Sequence, residues 1–152
     1  MIKVNVEITN KSWHKKINPK KYFKKKLNKI SKNIDFFKKK KISFTILLTN
    51  SYHIKNLNRK FRNQNKSTDV ISFPFFSKKN LKLLKKNFIY VGDIAICYEI
   101  INNRSKKNNF ILEFDKVWVH GLLHLIGYDH VKDKDYLKMN KSEKKILNLI
   151  SK

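Results

Sequence analysis

The chain has 152 residues, of which 36 are lysine or arginine and 11 are aspartate or glutamate, so its formal net charge is +25. This length suits one domain with its own hydrophobic core, and we expect a single domain over residues 1–152. No apolar run approaches the roughly 18 residues of a membrane helix, so we expect no membrane span.

The cysteine count and the N-terminus indicate the compartment. Cys97 is the only cysteine, which excludes an internal disulfide and a cysteine-based zinc site. The first residues form an alternating, strand-like sequence and not a secretory signal. Together these features predict a cytoplasmic protein.

The strong positive charge has two explanations, which the composition leaves open. A polyanion partner, either RNA or DNA, would explain it. Nearly all of the charge is lysine, however, and Ala95 is the only alanine. That profile is also typical of drift in an A+T-rich genome. The rare arginines, Arg59, Arg62 and Arg104, are therefore more informative than the lysines.

Alternating or apolar stretches predict four strands, at Ile2–Thr9, Ile42–Leu48, Thr68–Pro74 and Phe88–Cys97. The proline that ends the third stretch suits an edge strand or a strand end. Gly92, inside the fourth stretch, predicts a bulge or a close backbone approach. Asp93, beside it, could approach a functional site, but we expect a buried strand-end aspartate bonded to backbone.

Capping residues and apolar spacing predict about five helices, which begin near Asn18-Pro19, Asn50 or Ser51, Tyr98, Leu112 and Asp133. The run Lys38–Lys41 is expected to be a basic loop, and Ser77–Asn87 an exposed lysine-rich excursion. The mixture predicts an α/β or α+β fold with a roughly four-stranded mixed sheet packed against about five helices.

The most specific stretch is HGLLHLIGYDH, from His120 to His130. His120 and His124 are four residues apart, so on a helix they lie one turn apart on the same face. Gly127 follows where a helix can end through a left-handed glycine, and the turn would bring His130 round as a third ligand. Three protein ligands leave a fourth tetrahedral position open, as in catalytic zinc sites.

This spacing matches the metzincin protease pattern with one difference. The proteases carry a glutamate general base directly after the first histidine, and this chain has Gly121 there. The motif therefore favours a catalytic metal and argues against ordinary peptidase chemistry.

Other residues near these motifs have structural explanations beside functional ones. Asp129 can orient a ligand histidine or cap the turn at Gly127, and the two are equally plausible. Cys97 is expected to be a core residue. Trp118, Tyr128 and Phe75 suit base stacking with single-stranded RNA, although core packing is the default expectation for all three.

Three stretches together resemble the YbeY family of bacterial rRNA maturation factors: LNRKFRNQNKSTDVISFPF from Leu57, VGDIAIC from Val91 and VHGLLHLIGYDH from Val119. Their order and separation also fit, so the resemblance covers about the whole chain. It implies an α/β fold and a zinc-dependent endoribonuclease that cleaves single-stranded RNA. It also implies action on the 16S rRNA precursor at its 3′ end, and on ribosomal particles in late 70S quality control.

The resemblance also implies the site residues. One zinc ion would be held by His120, His124 and His130, and the family arginine falls on Arg62 and not on Arg59. His120 and Arg62 are thus the expected catalytic residues, with Arg62 holding the phosphate. Phe61 and Asp69 stand where many members have tyrosine and asparagine.

Two alternatives come from other functional classes. One is a non-catalytic ribosome assembly factor whose zinc mainly fixes the fold. The other is a metallopeptidase, which Gly121 disfavours. The charge agrees with RNA contact in an enzyme and in an assembly factor, and does not separate them.

Overall fold

The computed structural model describes residues 1–84 and 88–152, and within these residues the chain forms four strands and seven α-helices, five of them seven residues or longer. The strands are β1 (Ile2–Ile8), β2 (Ile42–Thr49), β3 (Val70–Pro74) and β4 (Ile89–Cys97). The helices are α1 (Pro19–Asn33), α2 (Asp35–Lys39), α3 (Ser51–Arg62), α4 (Lys78–Leu83), α5 (Tyr98–Arg104), α6 (Phe110–Leu125) and α7 (Asp133–Ile150). This confirms the predicted fold class.

The strands form one mixed sheet in the order β1-β2-β4-β3. β2 pairs in parallel with both β1 and β4, whereas β3 is antiparallel to β4 and forms an edge. The register of β2 against β4 shifts between Ser43 and Thr45, opposite Gly92. Gly92 has φ +132°, and a Cβ there would lie 2.1 Å from the Phe73 carbonyl oxygen. The predicted bulge and close backbone approach are therefore both present.

The two faces of the sheet are covered differently. The main core lies between one face and helices α1, α6 and α7, and it contains Phe23, Phe44, Ile94 and Trp118 among its fully buried side chains. A smaller cluster of Ile54, Ile71, Ala95 and Cys97 lies on the other face, under α3 and α5. Cys97 is fully buried, as expected for a core residue.

Helix α6 lies close to the sheet because of Gly121. A Cβ at this position would lie 2.9 Å from Ile94 Cγ2 and 3.2 Å from Ser72 Oγ. Position 121 thus faces the sheet, and the packing leaves little room for a larger side chain. Helix α6 therefore packs directly against β3 and β4, which fixes where its histidines project.

Three sequence-based expectations are corrected. Lys38 and Lys39 belong to α2 and not to a loop. The stretch Ser77–Asn87 is not only an exposed excursion: it contains α4, because Leu81 is buried in the core and holds a helical turn there. Residues 85–87 of this stretch lie outside the described residues. Asp93 is exposed and not buried, because the bulge at Gly92 turns its carboxylate outward to accept a hydrogen bond from the Tyr90 hydroxyl.

Among the described helices, none combines the length and the apolar character that crossing a bilayer would require.

Candidate metal centre

Helix α6 carries the first two histidines of the motif. Its N-cap is Asn109, whose side-chain oxygen accepts hydrogen bonds from the amides of Ile111 and Leu112 at 2.8 and 3.3 Å. Most of the helix is buried, while His120 and His124 lie half-buried one turn apart. Their Nε2 atoms are 3.0 Å from each other. The i, i+4 spacing thus places both imidazoles toward one point.

A glycine-dependent turn brings in the third histidine. Gly127 has φ +88°, its amide donates to the His124 carbonyl at 3.0 Å, and the Tyr128 amide donates to the Leu123 carbonyl at 3.0 Å. The chain then reverses and places the His130 ring 4.9 Å from the His124 ring, centroid to centroid. One nitrogen from each of His120, His124 and His130 lies within 4.8 Å of the other two.

Hydrogen bonds to the rings of His120 and His124 determine which nitrogen of each ring carries the proton, and they favour the tautomer that metal binding needs. His120 Nδ1 lies 2.5 Å from a carboxylate oxygen of Glu143 on α7, and His124 Nδ1 lies 3.0 Å from the Tyr128 carbonyl oxygen. Both acceptors require Nδ1 to carry the proton, which leaves the Nε2 lone pairs free to bind a cation.

The spacing of these lone pairs fits a bound cation. Two unprotonated nitrogens 3.0 Å apart repel each other, and a cation between them removes the repulsion. Nitrogens that each lie about 2.05 Å from a tetrahedral zinc ion would be roughly 3.3 Å apart. Three imidazoles suit zinc, and also nickel and copper. The residues present therefore fit a metal ion, and the geometry does not select which one.

The electrostatics agree with this arrangement. Burial lowers the pKa of His124, and the neighbouring rings of His120 and His130 lower it further. A lowered pKa favours the neutral imidazole, which is the form that binds metals.

Asp129 stabilises the turn locally. Its carboxylate accepts the backbone amide of His130 at 2.7 Å. Of the two roles that the sequence left open, this contact favours holding the turn. Asp129 thereby helps to position His130 through the backbone and not through the imidazole ring.

Glu143 is the residue of this site that the sequence analysis did not identify. It lies on the stripe of α7 that also carries Met139 and Ile146, and it is half-buried. Its carboxylate reaches His120, which is 23 residues earlier in the chain. A carboxylate on the outer nitrogen of a ligand histidine fixes the tautomer and the ring orientation, and raises the basicity of the ligand.

Arg62 is the last residue of α3. Its side chain is exposed, and among the described residues its guanidinium forms no ion pair. The preceding residue, Phe61, packs against Phe73 of β3 with ring centroids 5.2 Å apart. On the other side of β3, the Ser72 hydroxyl donates to the Gly121 carbonyl at 3.3 Å. The edge strand β3 therefore contacts both the helix that ends in Arg62 and the helix that carries His120 and His124.

The three aromatic candidates for base stacking occupy different environments. Trp118 is fully buried, and its indole N–H donates to Asp115 at 3.0 Å, so it is a core residue. Tyr128 is half-buried beside the core and accepts a hydrogen bond from Ser142 at 3.2 Å. Phe75 is 68% exposed, so core packing does not explain it.

Comparisons with known proteins agree with this picture. A sequence model of the family described as Endoribonuclease YbeY matches residues 7–151. A protein of Pelagibacter ubique named Endoribonuclease YbeY is 47% identical to the chain, over 99% of this chain and 97% of its own length. A protein of the same name from Buchnera aphidicola of Acyrthosiphon pisum is 38% identical, over 95% of this chain and 88% of its own length. The solution structure of a Thermotoga maritima protein superposes with a TM-score of 0.61 at 27% identity, covering 99% of this chain and 89% of that one.

Proposed function

The chain belongs to the YbeY family of endoribonucleases, and on that basis we propose that it is a zinc-dependent endoribonuclease that cleaves single-stranded RNA. We further propose that its substrate is the 3′ end of the 16S rRNA precursor, and that it acts on ribosomal particles in late 70S quality control. A single cytoplasmic domain over residues 1–152 is part of this proposal.

The observation that carries the proposal is the arrangement of the three histidines. His120 and His124 have their Nδ1 protons committed to other acceptors, and their Nε2 atoms are 3.0 Å apart. His130 adds one more nitrogen within 4.8 Å. A zinc ion held there would supply Lewis acidity toward a phosphate oxygen. A site of three protein ligands, open on one side, suits catalysis better than a closed structural site.

The chain's own residues have separate roles in this proposal. His120, His124 and His130 hold the metal, and Glu143 keeps the His120 ring in its binding orientation. Arg62 binds a phosphate of the RNA, for which the planar guanidinium provides two parallel donors. Its positive charge then stabilises the negative charge that develops on the phosphate oxygens during cleavage.

In this proposal the bound RNA crosses the edge of the sheet, where it reaches both Arg62 and the histidines. Strand β3 is the edge, it has only five residues, and its Pro74 has no amide proton to donate. Ser72 contacts the metal-bearing helix and Phe73 contacts the helix that carries Arg62. A strand of RNA that passes over β3 would therefore meet the metal on one side and Arg62 on the other.

The test is cleavage of a single-stranded 16S rRNA 3′-end precursor by highly purified, zinc-loaded protein. We would compare wild type with His120→Ala and Arg62→Gln, each checked for folding by circular dichroism and for zinc content. Arg59→Gln is the matched control, because Arg59 is an exposed arginine in the same last turn of α3.

We expect wild type and Arg59→Gln to cleave, Arg62→Gln to lose about 10²- to 10³-fold in rate, and His120→Ala to lose both zinc and activity. Equal cleavage by all four proteins would reveal a contaminating nuclease. If none of the four proteins cleaves the RNA, although wild type holds zinc and still binds ribosomal particles, the assembly-factor hypothesis would replace the enzyme hypothesis.

A further inference from the structure

Three large aromatic side chains are exposed on the face of the sheet opposite α6. Phe75 is 68% exposed, Phe61 is 58% exposed and Tyr90 is 40% exposed. Phe75 and Tyr90 have ring centroids 6.3 Å apart, and Phe61 contacts the half-buried Phe73 at 5.2 Å. We call these four rings (Phe61, Phe73, Phe75 and Tyr90) the aromatic platform.

Strand alternation places the rings on one face. Ser72 points toward α6, so its neighbour Phe73 points to the other face, and Phe75 follows two residues later. The Phe75 amide still pairs with the Val91 carbonyl at 2.9 Å, which continues the alternation beyond β3. Tyr90 lies on the same side, where its hydroxyl is 2.9 Å from Thr45 Oγ1.

The described helices leave this part of the face uncovered. α3 and α5 bury Ile71, Ala95 and Cys97, which lie near the other end of β3 and β4. Single exposed aromatics are common on protein surfaces, but two exposed rings in contact, Phe75 and Tyr90, with a further exposed ring, Phe61, on the same face, indicate a binding surface.

The charges around the platform indicate the class of ligand. The last turn of α3 carries Lys60 and Arg62, and Lys60 Nζ lies 5.4 Å from the Phe61 ring centroid. Three carboxylates lie on or beside this face: Asp93 accepts a hydrogen bond from Tyr90, Glu7 accepts one from Asn5 at 3.3 Å, and Asp69, just before β3, pairs with Arg104 at 2.6 Å. Exposed rings beside cations are the combination that binds single-stranded nucleic acid, in which bases stack on rings and phosphates meet basic groups.

We propose that the aromatic platform stacks the bases of single-stranded RNA, next to the segment that crosses β3 toward the histidines. This inference rests on the proposed function and adds the surface that holds the substrate. Bases of a duplex are already stacked on each other, so a platform of this kind would also select single strands over double strands.

The experiment measures binding of a short, fluorescein-labelled, single-stranded 2′-O-methyl RNA to zinc-loaded full-length protein by fluorescence anisotropy. The variants are Phe75→Ala, Phe75→Trp, Arg62→Gln and Tyr52→Ala. Tyr52 is the matched control, because it is 72% exposed and lies at the opposite end of α3 from Phe61. Cleavage of unmodified RNA by the same preparations is measured in parallel.

We expect Phe75→Ala to weaken binding by roughly 5- to 150-fold, which corresponds to the loss of one stacked base. Phe75→Trp should keep wild-type affinity, and Tyr52→Ala should stay within about twofold of wild type. The dependence of log affinity on log salt should be unchanged in Phe75→Ala, because no phosphate contact is lost, whereas Arg62→Gln should flatten it by about one unit.

Unchanged RNA affinity in Phe75→Ala, with wild type binding and cleaving normally, would overturn this inference alone and leave the proposed function standing. The rings would then belong to a protein partner or a second copy of the chain. An equal loss in Tyr52→Ala would also overturn it, since the effect would not be specific to the platform. Absence of both binding and cleavage in wild type would overturn the proposed function and this inference with it.

Discussion

Replacing Glu143 by alanine is expected to weaken zinc binding by about tenfold or more while the metal-free protein keeps its fold. The carboxylate of Glu143 lies 2.5 Å from Nδ1 of His120 and holds that ring with Nε2 turned toward His124. Without it, the ring is free to rotate and to change tautomer. Both changes reduce the fraction of protein that is ready to bind a metal.

The magnitude follows from the contact and its exposure. A hydrogen bond to a charged group contributes about 1.5–3 kcal/mol, which corresponds to roughly 12- to 150-fold in affinity. The side chains of His120 and Glu143 are 33% and 24% exposed, so solvent screens the pair and the lower half of that range applies. Glu143→Gln keeps an acceptor oxygen but loses the charge, and should cost only about threefold to tenfold.

The assay is competition for zinc between the purified protein and a colorimetric chelator. Glu7→Ala serves as the control, because it removes an exposed carboxylate on β1. Urea unfolding in EDTA checks the metal-free stability of each variant. Zinc affinity of Glu143→Ala within about twofold of wild type would refute the reasoning, since the contact would then be incidental.

Three further predictions concern the fold around the site. Gly127→Ala should lower both stability and zinc affinity, because a Cβ there would lie 2.9 Å from the Cα atom of the first residue of α4 and φ +88° strains any other residue. Urea unfolding measures the loss of stability, and the chelator assay measures the loss of zinc affinity. An unchanged midpoint of urea unfolding would contradict the prediction. Asp115→Ala should cost roughly 3–5 kcal/mol in urea unfolding, because it leaves the Lys26 ammonium, on a side chain that is only 12% exposed, without its partner. Asp35→Ala, which breaks an exposed pair, should cost less than about 1 kcal/mol. Burial raises the pKa of the Cys97 thiol, so little thiolate exists near neutral pH; alkylation by iodoacetamide should be slow in the folded protein and fast in urea, and rapid modification of the native state would show that the thiol is accessible.

Local pattern was enough to predict the strands and the long helices. Alternation of apolar and polar residues located β1 and β2, because one face of each is buried under α1, α6 and α7. The cap Asn18 followed by a proline located the start of α1, and the structure confirms that the asparagine side chain accepts from the Lys21 amide at 3.2 Å. These signals lie within a few residues of the feature they specify.

The features that the sequence did not reveal depend on contacts between distant segments. α4 is short and rich in lysine, and it forms where Leu81 reaches the core. The exposed position of Asp93 results from the bulge at Gly92, which shifts the pairing of β4 with β2 by one residue. Glu143 lies on the same stripe of α7 as the buried Met139 and Ile146, and only the packing of α7 against α6 brings its carboxylate to His120. No periodicity in the sequence encodes such a pairing.

The glycine that departs from the peptidase pattern has a physical explanation in the packing of α6. Position 121 faces Ile94 and Ser72 and not the three histidines, so a carboxylate there would meet the sheet before it reached a metal-bound substrate. The same close packing lets the Gly121 carbonyl accept a hydrogen bond from the Ser72 hydroxyl at 3.3 Å, which ties the helix that carries His120 and His124 to the edge strand. On the opposite side of that strand, Phe73 holds the end of the helix that carries Arg62. The segments 57–75 and 119–130, far apart in sequence, therefore meet at β3, and this explains why a family motif is found in each of them.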